Sequence, residues 1–284
     1  MKKIKYLLLI MLFCLTGCFK NNSMDDINIA TSVYPIEYVV KQLYSDHSTI
    51  TSIYPHDSNI LDFKITKVLL NDYSSNDLFV FNGLSNENKY ISSMKKNNNK
   101  LMIIDATANI KYEYSIEELW LDPNNLLTIA NNIRNGFEEY IESSYLVDEI
   151  KENYNNLKIE LTSLDGKFYS SVKNANTDYI IVTDDAFKFL EKYGLNVISL
   201  DKDTVTQKDI STAIDILNEG KCKYVFMKYR EELSEDVNHV LESTGAGTLE
   251  FYTMTDLYEI NIEKNDYITL MNNNLENLRI ELYK

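Results

Sequence analysis

Residues 177–190 read TDYIIVTDDAFKFL. The apolar run Tyr179 to Val182 empties into two adjacent carboxylates, Asp184 and Asp185, and an amphipathic segment follows. A short apolar run closed by polar residues and followed by helical periodicity is the pattern of a βα unit with a buried strand. In an open α/β sheet, the loops after parallel strands line a crevice in which ligands bind. One aspartate there has an ordinary task as a helix N-cap, accepting backbone N–H bonds at the positive end of the helix dipole. The second needs another reason.

The same alternation extends in both directions. In the first half, strands are expected over 27–35, 48–55, 77–83 and 100–108, separated by PIEYVVKQLY, TKVLLNDY and NENKYISSM, which suit helices. In the second half they are expected over 179–183, 196–200, 223–229 and 248–253. Gly194, Gly220 and Gly245 each follow a helical pattern, as C-terminal stops do. From Asn124 to about Val172 helical periodicity persists without a strand. The expected fold is α/β: two Rossmann-like lobes with mostly parallel four-stranded sheets, joined by a long linking helix. The expected divisions are an N-terminal lobe over 27–147, the linking helix over 148–172 and a C-terminal lobe over 173–284. A helix of about 25 residues spans roughly 37 Å and forms a strut, which Gly166 could kink or end.

The N-terminus, MKKIKYLLLIMLFCLTGCFK, orders three lysines, an apolar run and small residues as a secretory signal does. The run is too short to span a membrane. Leu15-Thr16-Gly17-Cys18 is similar to the bacterial lipobox, which implies cleavage after residue 17, lipidation of Cys18 and a polar tether over 18–26. Lipidation would anchor the protein to the extracytoplasmic face of the cell membrane. The formal charge of the chain is −15. Such a surface repels nucleic acid and attracts cations. With Cys14 removed and Cys18 lipidated, Cys222 has no partner for an intramolecular disulfide. Its place before an apolar run suits a core-edge residue. No nucleophile–base constellation or P-loop is present, and the chain has three histidines, His47, His56 and His239. An enzyme is not expected.

Several ordered motifs carry a resemblance: Ala30-Thr31-Ser32-Val33-Tyr34-Pro35, Asp77-Leu78-Phe79-Val80-Phe81-Asn82-Gly83, Trp120-Leu121-Asp122-Pro123, and Val182-Thr183-Asp184-Asp185-Ala186-Phe187 with Tyr193-Gly194-Leu195. Ser243-Thr244-Gly245-Ala246 and Leu270-Met271-Asn272-Asn273-Asn274-Leu275 follow. In this order and spacing they resemble the zinc/manganese-binding lipoproteins that serve bacterial ABC transporters. The resemblance covers essentially the whole mature chain. It implies a monomer that captures a divalent cation between its lobes and hands it to a permease.

The family's histidine ligands are mostly missing. By register, the first falls on Leu61, with His56 and Asp62 near it. The second falls on Glu118 and the third on Asp184. The fourth, an aspartate, falls on Asp256 or, with a shorter loop, on Tyr252. Asp185 then takes the family's ordinary aspartate, which assigns the helix cap to Asp185 and the cleft to Asp184. The metal set implied is Glu118, Asp184, Asp256 and His56. Converging carboxylates require a cation or raised pKa values. An oxygen-rich set suits manganese, magnesium or calcium, whereas His56 would favour manganese, zinc or iron. Two alternatives stay open: Lys228 could neutralise Glu118 or Asp184 directly, leaving a metal-free surface interaction lipoprotein, or the acids and tyrosines could hold another small solute.

Overall fold

The computed structural model describes residues 24–55, 63–255, 257 and 260–284. All eight expected strands form among them. In the first lobe, β1 (Ile27–Thr31), β2 (Ser48–Ser52), β3 (Leu78–Phe81) and β4 (Met102–Asp105) pair in the order β2-β1-β3-β4. In the second, β5 (Tyr179–Val182), β6 (Asn196–Ser199), β7 (Tyr224–Lys228) and β8 (Gly247–Phe251) pair in the order β6-β5-β7-β8. Every pairing is parallel. The two sheets therefore repeat one topology, each with its second strand outside its first and its third on the other side. That reversal of strand order opens a crevice at the carboxyl ends of the central strands.

Parallel strands are covered on both faces, so their sequences read as continuous apolar runs. Leu78 to Phe81 are buried at every position. The covering helices of the first lobe are α1 (Tyr34–Tyr44), α2 (Lys67–Ser74) and α3 (Asn88–Asn97). Pro35 lies in the first turn of α1, where its missing N–H costs no hydrogen bond. A one-turn helix, α4 (Glu118–Leu121), leads to α5 (Pro123–Tyr140) and α6 (Ser144–Lys173). The second lobe adds α7 (Gln207–Asn218), α8 (Glu235–Thr244) and α9 (Tyr267–Leu282).

The linking helix α6 is longer than its sequence pattern suggests, with 30 residues and a length of about 45 Å. Gly166 lies inside it and neither ends it nor meets a neighbour at its Cβ position. Near the start of α6, Asn153 donates to the Leu43 carbonyl, and near its end Ser171 accepts from Arg279. The strut thus binds both lobes. The segment Asp185–Tyr193 forms successive 3₁₀ turns rather than an α-helix, and it stops at Gly194 with φ +100°. Only glycine adopts that left-handed backbone without strain.

Most buried side chains form one continuous apolar cluster running through both lobes, from Ile29 and Val80 to Val182 and Leu278. Trp120 sits within it, 1% exposed. Its indole Nε1–H donates to the Thr253 carbonyl at 2.8 Å, and its own carbonyl accepts from the Tyr267 hydroxyl at 2.6 Å. Around this pin, Lys192 bonds Asp122 and lies 2.8 Å from Asp165, while Tyr114 donates to Glu191 at 2.9 Å. The lobes are held against each other by a shared core with a polar rim.

Candidate functional site

Between the lobes lies a cavity of about 860 Å³. Its wall includes Val33 beyond β1, Asn82 beyond β3, Lys228 at the end of β7 and Thr253 beyond β8. These are the strand ends at which open α/β sheets bind ligands, and the volume falls within the range of small-molecule sites. Two residues of the C-terminal loops at this cleft adopt left-handed backbone without being glycine: Arg230 at φ 58° and Met254 at φ 67°. Such conformations cost on the order of 1–3 kcal/mol each and concentrate at ligand sites.

The helix cap falls on the other carboxylate of the opening stretch from the one expected. Asp184, not Asp185, is the cap: its Oδ1 accepts from Ala186 N at 2.8 Å. The physical reason is backbone conformation, since Asp184 is extended, with φ −147° and ψ 140°, and the helical turns start one residue later. The second oxygen of Asp184 meets Lys228 Nζ at 2.5 Å. Burial draws the Lys228 ammonium down, but the hydrogen bond and charge of Asp184, with Glu231 behind it, outweigh this and raise its pKa. Lys228 therefore stays cationic at neutral pH. Asp185 turns away to accept from Thr204 at 3.1 Å and to face Lys188 at 3.3 Å.

Glu118, 8% exposed, also has internal partners. Its Oε1 accepts from Tyr114 N at 2.5 Å and Ser115 N at 2.8 Å, and its Oε2 accepts from Glu113 N at 3.1 Å. This carboxylate fastens the loop that enters α4. Tyr252 rests its ring on Tyr229, with centroids 4.9 Å apart. His56, Leu61, Asp62 and Asp256 lie outside the described residues. Among the described residues, no group of three or more histidine, cysteine or acidic side chains is arranged to hold a metal ion. Cys222 is 1% exposed and donates to the Tyr179 carbonyl, and burial pushes its thiol pKa up to about 12, as befits a core residue.

Two cleft residues escaped the sequence reading. Asn82 is 1% exposed and Glu87 is 3% exposed, and both line the cavity. The Oδ1 of Asn82 accepts from Leu84 N and Thr107 Oγ1, which fixes the amide's orientation. Among the described residues its Nδ2 has no partner, nor has Oε2 of Glu87. Burial raises the Glu87 carboxyl pKa, against hydrogen bonds from its own backbone and from Tyr54. The Asn-Gly pair had been legible as a strand end, but nothing periodic marks Glu87.

Two lobes of like topology, strand ends converging on a shared cleft, and a single long helix between them define a two-lobed solute-binding protein of the α/β class. The chain belongs to the family described as zinc-uptake complex component A, periplasmic, which matches residues 29–280. The resemblance read from the ordered motifs is thus borne out. The chain is 26% identical over 261 residues to the uncharacterized protein L876 of Acanthamoeba polyphaga mimivirus, covering 81% of this chain. It spans 59% of the length of that curated relative. Among solved structures, it is similar to YcdH of Bacillus subtilis, described as a metal-dependent lipoprotein, with a TM-score of 0.74 at 20% identity over 91% of this chain and 100% of that one. A zinc-bound deletion mutant of ZnuA aligns with a TM-score of 0.74 at 16% identity, over 92% of this chain and 99% of the other. At such identities the structural likeness speaks for the fold.

Proposed function

We propose that this protein is the cargo-receiving lipoprotein of an ABC importer, tethered through Cys18, which captures a small solute between its lobes and presents it to a permease. The observation that carries this reading is the cleft of about 860 Å³ at the strand ends of both lobes. Family membership supports the transport role. The cargo that the family implies is a divalent cation, and the acidity of the chain favours cations. Its ligands would be Glu118 and Asp184 with Asp256 and His56.

The described half of that set bears on how such an ion would enter. Asp184 already holds the Lys228 ammonium, and both oxygens of Glu118 accept backbone bonds. An ion reaching Asp184 would face a unit positive charge within a few ångströms, which opposes it by several kcal/mol at an effective dielectric near 20. Cation capture at this position is therefore an exchange with Lys228. The same ion pair supports a second reading, in which Lys228 permanently takes the metal's place and the cleft carries another solute.

Thermal melting of metal-stripped mature protein with manganese, zinc, calcium or magnesium tests the metal cargo. A ligand that binds only the folded state raises its stability with concentration. The expected outcome is a concentration-dependent rise with at least one ion, larger in Lys228→Met, where the competing charge is gone. Unchanged melting with all four ions in both proteins would remove the divalent cation as cargo and leave the second reading.

A further inference from the structure

His47 ends a 3₁₀ turn (Ser45–His47) between α1 and β2. Its two ring nitrogens each reach a carboxylate on a different element. Nδ1 lies 2.8 Å from Asp25 Oδ1, in the segment before β1, and Nε2 lies 3.1 Å from Glu149 Oε1, near the start of the strut α6. The same corner holds that segment a second time, because the Tyr44 hydroxyl donates to the Met24 carbonyl. None of these residues lines the inter-lobe cavity.

An ionised carboxylate only accepts, so both contacts are hydrogen bonds only while both ring nitrogens carry protons, which is true of the imidazolium alone. A neutral imidazole has one N–H for two acceptors, and its bare nitrogen then faces a carboxylate lone pair to lone pair. Among the described residues the groups that face the ring are Asp25, Glu149 and Tyr44, whose ring centroid is 5.4 Å away. Tyr145 lies against Glu149, and Asp46 adjoins His47 on its own turn. Burial draws the pKa of the ring down, but hydrogen bonds and charge from the two carboxylates more than reverse this. The two links differ in what losing them costs. The Glu149 side chain is 26% exposed and sits on a 30-residue helix. The Asp25 side chain is 51% exposed and sits in an irregular segment, beside Asp26 with its left-handed backbone at φ 58°. Asp25 is the partner that water replaces more easily.

We propose that His47 is a pH-operated clasp: the doubly bonded imidazolium fastens the segment before β1 to the first lobe and the strut, and loss of its proton loosens that segment at Asp25. The clasp is complete below the ordinary histidine value, about 6.5, and opens as pH rises through the raised folded value. The segment connects the first lobe to Cys18, so the clasp governs how firmly the lobe is held to its proposed anchor. This goes beyond the receptor reading and is independent of the cargo.

Hydrogen exchange of the mature protein between pH 5.5 and 8.5 tests it, with each rate corrected for the intrinsic pH dependence of exchange and β3 as the internal reference. Protection of residues 24–28 should fall about two- to fivefold across this range, the span of a partly exposed ion pair, along the titration of the His47 ring followed by NMR. In His47→Gln and in Asp25→Asn the fall should disappear. Glu149→Gln is the discriminating variant. Its amide can donate to the bare ring nitrogen, which leaves the single N–H of neutral His47 to Asp25, so the segment should stay protected at high pH. Folding of each variant is checked by its thermal melt. Protection in the wild type that does not change with pH would overturn the clasp. So would a fall of equal size in wild type and His47→Gln, or in wild type and Glu149→Gln.

Discussion

At the residue scale, this molecule gives carboxylates internal partners at the positions where the sequence points to a ligand. Asp184 caps a turn and holds Lys228, and Glu118 gathers three backbone N–H groups. His47 shows the same habit at the other end of the first lobe. Its Nδ1 lies 2.8 Å from Asp25 and its Nε2 lies 3.1 Å from Glu149. Burial lowers its pKa, but hydrogen bonds and charge from the two carboxylates more than reverse this, so the folded value lies above the ordinary one. A raised histidine pKa contributes stability that is fully present below the unfolded value, about 6.5, and is lost as pH rises through the folded value. Denaturant melts of wild type and His47→Gln from pH 5 to 9 should show a stability gap that narrows above about pH 6.5. A gap independent of pH would show that the imidazole charge contributes nothing.

At the scale of elements, the loop after β5 is the decisive one. Its two aspartates are neighbours in sequence but face different surroundings, because the chain turns from extended to helical backbone between them. Removing the Asp184 side chain should cost about 1–2 kcal/mol through the cap alone. It also strands the partly buried Lys228 without its nearest carboxylate. Asp185→Ala loses contacts to Thr204 and Lys188 and should cost less. The measurement is equilibrium unfolding of both single variants and of Asp184→Ala with Lys228→Met. The double variant should recover part of the loss, since it removes the stranded charge. If Asp184→Ala were as mild as Asp185→Ala, the cap and ion pair would be incidental.

At the scale of the whole molecule, the two lobes share one apolar core pinned by Trp120. The expectation is a single cooperative unfolding transition, seen alike by circular dichroism and hydrogen exchange. Trp120→Ala should cost about 3–5 kcal/mol, the usual price of a large aromatic removed from a packed interior. It should also uncouple the lobes, so that the two methods report separate transitions. Trp120 is the only tryptophan of the chain and lines the cleft, so its fluorescence in the wild type also reports cleft occupancy.

The sequence by itself determined the architecture. Eight apolar runs, the helical segments between them and the glycines that stop those segments each reflect local backbone preference and burial periodicity, which a linear chain displays directly. It was enough to read two parallel sheets and a long linking helix from stretches such as Tyr179–Val182 and Leu78–Phe81, and enough to place the chain in its family. Only the tertiary structure decided which acids are engaged. Asp184 and Lys228 are 44 residues apart, and Trp120 and Thr253 are 133 apart. No periodicity records such meetings. Likewise, it is the fold that buries the Glu87 carboxyl beside the cleft and leaves one of its oxygens without a partner among the described residues. Whether a polar atom has found a partner is a property of three-dimensional packing, and the order of residues along the chain does not contain it.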